Sequence, residues 1–66
     1  MITMKMYLVT NNTDGKLAYR NQNQMYIWES KGEYETMSSD EVATLVATNP
    51  QFIKNDWITI NEVNNQ

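Results

Sequence analysis

Sixty-six residues allow one domain, and a chain this short buries only about 60% of the surface its unfolded form exposes, so every element must contribute to a single thin core. With no cysteine and no histidine, disulfides, thiolate metal sites and the common nucleophile–base pairs are excluded. A net charge of −3, with Lys5, Lys16, Arg20, Lys31 and Lys54 scattered along the chain, argues against a grip on phosphate backbones.

In chain order, residues 5–10 read as a strand with Met4, Met6 and Leu8 on one face and Lys5, Tyr7 and Val9 on the other. Asn11-Asn12-Thr13-Asp14-Gly15 predicts a hairpin loop in which Asp-Gly supplies the positive φ, followed by a return strand over 16–20. Residues 21–24 turn the chain, and Met25-Tyr26-Ile27-Trp28 has the aromatic and β-branched character of a third strand. A turn over 30–33 leads to a brief extension at 34–36.

The one strong helix signal follows, over 37–50, and the strands need it to pack against. Ser38 and Glu41 form a capping box, Met37 and Val42 are spaced as a hydrophobic staple, and Asp40 and Glu41 complement the positive end of the helix dipole. Val42, Leu45 and Val46 share a stripe, and Pro50 stops the helix near Thr48. Phe52 and Ile53 anchor the connection onward and 54–56 turn. Residues 57–63 alternate as a last strand, with 64–66 as a frayed tail.

The order predicts an α+β fold, a small antiparallel sheet (β-β-β-α-β) with one helix packed on one face. The face expected to meet Val42, Leu45 and Val46 consists of Met6, Leu8, Leu17, Met25, Ile27, Ile58 and Ile60. Tyr7, Val9, Tyr26, Trp28 and Trp57 then project from a face that nothing covers, which marks Tyr7, Tyr26, Trp28 and Trp57 as anchors for a foreign partner or a second copy. Burial of some of them in a thin core is the alternative. On the first reading, truncating Trp28 or Trp57 weakens association and spares the fold.

Glu29, Glu33, Glu35, Asp40 and Glu41 lie close together, opposed by Lys31, and suit either a solvated face or an acidic patch that meets a basic groove on a partner, with Glu29, Glu33 and Glu35 as candidate contacts. A carboxylate pair for glycoside hydrolysis is the enzymatic alternative, and a solvated turn explains the same residues more simply. Asn12, Asp14 and Gly15 loosely follow the third, fifth and sixth positions of a calcium loop, but Thr10 and Asn21 stand where carboxylates are needed. No metal, cofactor or catalytic residue is expected. Residues 6–9 are too short an apolar run for a signal-peptide core or a membrane span, so the default is a cytoplasmic protein without a membrane partner.

In its acidic, Asn-rich character, with the run Tyr7-Leu8-Val9-Thr10-Asn11-Asn12 and the late Ile58-Thr59-Ile60, the chain resembles small accessory proteins encoded by phages and prophages of Gram-positive bacteria. The resemblance implies a non-enzymatic inhibitor that occludes a host protein such as a CRISPR or restriction nuclease. The alternative is a homo-oligomeric sheet module that binds nucleic acid or serves a structural role, which the missing basic surface disfavours.

Overall fold

The computed structural model describes residues 5–22 and 24–64; Met4, Asn23 and residues 65–66 of the expected tail lie outside the described residues. The elements are β1 (Lys5–Asn11), β2 (Leu17–Arg20), β3 (Met25–Trp28), β4 (Tyr34–Ser38), α1 (Ser39–Thr48), α2 (Gln51–Lys54) and β5 (Ile58–Asn64). The expected α+β class is what the chain adopts, with two additions. The brief extension before the helix is a full strand, β4, and the connection after Pro50 winds into the short α2, whose Phe52 is buried. Asn64, expected in the tail, is the last residue of β5.

The helix begins where its local chemistry dictates. The Glu41 amide donates to Ser38 Oγ at 3.3 Å and the Ser38 amide donates to Glu41 Oε1 at 2.9 Å, so both halves of the capping box are made. Near Pro50 the chain leaves α1, and the Asn49 amide closes the last turn onto Leu45 O. Two turns need a backbone that most residues avoid: Gly32 has φ 93° and Asp56, before β5, has φ 56°. Aspartate is among the few side chains that tolerate this region.

Strand pairing departs from expectation. β1 does not form a hairpin with β2; it is the central strand of an antiparallel sheet ordered β4-β1-β5, while β2 and β3 pair as a separate ribbon. Gly15 does not take the positive φ assigned to Asp-Gly. The loop is shaped by Asn11 instead, a fully buried polar side chain whose Oδ1 accepts from Thr13 N at 2.8 Å and Thr13 Oγ1 at 2.7 Å. Its Nδ2 donates to Gly15 O at 2.9 Å and Ser30 O at 3.2 Å. One amide thus holds the loop that follows β1 against the turn that follows β3.

The core joins sheet, ribbon and helices through Val9, Tyr19, Tyr26, Trp28, Met37, Leu45, Phe52 and Ile58, with Leu17, Val42 and Ile60 packed against it. Leu17, Ile58, Ile60, Val42 and Leu45 lie on the expected side. The faces of β1 and β3 are reversed: Val9, Tyr26 and Trp28 are buried, whereas Met6, Leu8 and Ile27 are half-buried and Met25 and Val46 are exposed. On both strands the two alternating sets are apolar, so alternation alone fixes no direction. Volume decides. The ribbon and the sheet face each other, and filling that space takes large rings; the Trp28 indole crosses it and donates from Nε1 to Val9 O at 2.8 Å.

Candidate interaction surface

The four aromatic side chains expected to share an exposed face are dispersed. Trp28 and Tyr26 are buried with Tyr19, in a row whose ring centroids stand 6.1 Å and 6.3 Å apart. Tyr7 is half-buried on the same side of β1 as Val9, opposite Met37 on one neighbour and Glu62 on the other. Trp57, 37% exposed, leans on Phe52 with centroids 5.8 Å apart. The sequence alternative, that some of these rings form the core, describes Tyr26 and Trp28.

Nor do the three glutamates converge on one patch. Glu33 is occupied by its own turn, accepting from Glu29 N at 3.2 Å and Ser30 Oγ at 3.1 Å. Glu29 is exposed at that turn, whereas Glu35 is half-buried opposite Val9, on the helix side of the sheet. Asp14, at the fifth position of the calcium-like loop, stands 3.7 Å from Lys31 Nζ. Among the described residues no cluster of three or more Asp and Glu side chains is placed to hold a metal ion.

Glu41 has a second role beyond the helix cap. Its Oε2 accepts from the Tyr26 hydroxyl, which also touches Gln24 Oε1, so the cap of α1 is tied to β3. Burial, together with the Glu41 hydrogen bond and the charges of Glu41 and Glu35, raises the Tyr26 phenol above its ordinary value. The Tyr26 hydrogen bond, helped by the Ser38 amide, lowers the Glu41 carboxyl despite some burial. The lowered carboxyl contributes stability above its ordinary value of 4.5, lost as pH falls through the folded value. The raised phenol contributes below its ordinary value of 10.0, and that contribution is lost as pH rises beyond it. Melting temperature is therefore expected to form a plateau between these limits. Tyr26→Phe should flatten the alkaline flank and soften the acid one in a pH series of thermal melts.

Between α1 and the β2–β3 turn runs an open groove of about 470 Å³, with Tyr19 and Arg20 on one wall and Asp40, Glu41 and Thr44 on the other. The Tyr19 hydroxyl is buried without a hydrogen-bond partner.

A second exposed surface lies on the side of the β4-β1-β5 sheet turned away from the helices. Strand alternation places Met6, Leu8 and Thr10 of β1 there, flanked by Tyr34 and Thr36 of β4 and by Thr59, Asn61 and Val63 of β5. Tyr34 is 61% exposed and Val63 39%. Among the described residues no element covers this face. The sequence reading expected an uncovered face and assigned it the wrong residues; Tyr34 was missed because its strand was read as only a brief extension.

No protein-family model matches the chain, and no curated protein or solved structure is significantly similar to it. The class is therefore defined by the fold itself, a small α+β domain with one sheet face left open. No helix among the described residues is long and apolar enough to cross a membrane.

Proposed function

We propose that this chain is a non-enzymatic protein-binding module whose outer sheet face, centred on Leu8 and Tyr34, docks on a partner protein and occludes it. The observation that carries the reading is that face: an exposed tyrosine and aliphatic side chains within a frame of Thr and Asn, uncovered by any described element. Negative net charge and scattered lysines favour protein over nucleic acid. The likeness in character to phage accessory proteins extends the proposal to a cytoplasmic inhibitor of a host nuclease or a similar defence protein.

A photo-crosslinking amino acid at Tyr34, compared with one at the exposed Met25 on the ribbon, tests the surface in a Gram-positive lysate. Position 34 should capture one defined protein, which purified chain then inhibits in stoichiometric proportion. Tyr34→Ala should weaken that complex about tenfold or more. Because Tyr34 is exposed, its melting temperature should move by no more than about 4 °C. Equal capture at both positions, or tight DNA binding that weakens steeply with salt, overturns the reading.

A further inference from the structure

We infer that the outer edge of β5 is self-complementary, and that two copies of the chain pair through it as antiparallel strands about a two-fold axis at Asn61. The Asn12 amide donates to Trp57 O at 2.8 Å, which extends the β1–β5 register by one step beyond Asn11 opposite Ile58. In an antiparallel ladder, closely bonded pairs recur at every second residue, so Thr59, Asn61 and Val63 bond inward to β1. The N–H and C=O groups of Ile58, Ile60, Glu62 and Asn64 point the other way, where the described residues supply no strand. Along β5 there is no proline, glycine or lysine to discourage pairing, and its one charge, Glu62, is 3.4 Å from Lys5 Nζ within the same molecule.

The opposite edge of the sheet is blocked at the end where β4 meets α1. By the same alternation the Ser38 amide points away from β1 on β4, and it is already taken by the Glu41 carboxylate of the helix cap. Along β5 the outward groups run from one end of the strand to the other, and unpaired backbone groups in this arrangement accept an extended strand.

The sequence of β5 selects a second copy as that strand. The outward groups lie on even-numbered residues, so few registers bring them together. Setting Glu62 against the partner's Glu62 opposes like charges, and setting Ile60 against the partner's Ile60 leaves Asn64 unpaired. Setting Asn61 against the partner's Asn61 puts Ile58 opposite the partner's Asn64 and Ile60 opposite the partner's Glu62, which matches every outward group from one end of β5 to the other. On the outer face Thr59 meets the partner's Val63, and the two Asn61 amides meet on the axis, where amides can bond to one another. The result is one sheet running through both copies, with the two outer faces side by side. The inference stands apart from the proposed function, since the edge is read from backbone groups and the docking face from side chains.

Sedimentation equilibrium from micromolar to millimolar concentration tests it, with Asn61→Lys and Asn61→Asp. The wild type should dimerise. Each variant alone should dissociate about tenfold more readily, because the substitution sets like charges against each other on the axis, and an equimolar mixture of the two should recover dimer. Asn61 is exposed, so melting temperature at low concentration should stay unchanged and loss of fold is excluded as a cause. Thr36→Lys, on the outer face of β4, should leave dimerisation intact. A wild type that is monomeric throughout, or a dimer that neither Asn61 variant weakens, overturns the inference.

Discussion

Trp28→Ala is expected to remove about half or more of the chain's folding free energy. The side chain is fully buried, stacks on Tyr26 and donates to Val9 O at 2.8 Å, so it is the bridge between the β2–β3 ribbon and the central strand of the other sheet. Truncating a buried tryptophan costs about 3–5 kcal/mol. A domain of this length holds about 3–10 kcal/mol in all. Trp28→Phe keeps most of the volume and loses the hydrogen bond, at about 1–3 kcal/mol, which lowers the melting temperature by roughly 5–20 °C. Near-ultraviolet circular dichroism and thermal melts read both effects. The result runs against the sequence expectation that this tryptophan can be truncated without harm to the fold. A Trp28→Ala domain as stable as the wild type would show that the ribbon does not depend on this bridge.

The second large effect is expected at Asn11. Asn11→Leu removes the acceptor for Thr13 and the donors to Gly15 O and Ser30 O, and at about 1 kcal/mol per hydrogen bond, with the added cost of groups left unpaired, the loss is roughly 2–4 kcal/mol. Asn11→Asp isolates the role of the two donors because the shape is kept. A carboxylate has no proton to give, so it confronts the Gly15 and Ser30 carbonyls, and burial raises its pKa in the folded state. The protonated form restores one donor. The variant should therefore be most stable at pH below the ordinary aspartate range and lose stability as pH rises through the unfolded and then the folded value, opposite in sign to Glu41. Chemical denaturation of the variant across that range checks the sign. A variant as stable as the wild type at neutral pH would show that the two turns do not need the amide.

How far the structure was legible depends on the range of each signal. The start of α1 could be read from Ser38 and Glu41 because a capping box lies within one turn of chain. β3 has the expected bounds, as its flanks are local turns; the Asn21 amide donates to Gln24 O at 2.9 Å. Pairing was not legible. Asp14-Gly15 has the composition of a hairpin turn, yet β1 takes its neighbours from far along the chain, and the choice is made by core volume, which no short window contains. The candidate surface inherited that error. With Tyr26 and Trp28 facing outward, the pattern assigns the outer residues Leu8 and Met6 to the core and leaves Tyr34 off the surface.

The placement of β1 also determines when the chain can fold. Synthesis delivers β1 before the other described elements, yet one of its two ladders is completed by β5, the last of them. Until that segment emerges, a strand with Leu8 and Val9 side by side has one edge unprotected, and the nascent chain is exposed to strand exchange with its neighbours. Folding that closes on its first and last strands is governed by long-range loop closure and so is slow for its size. Such a chain depends on finishing quickly or on being held soluble while it is made.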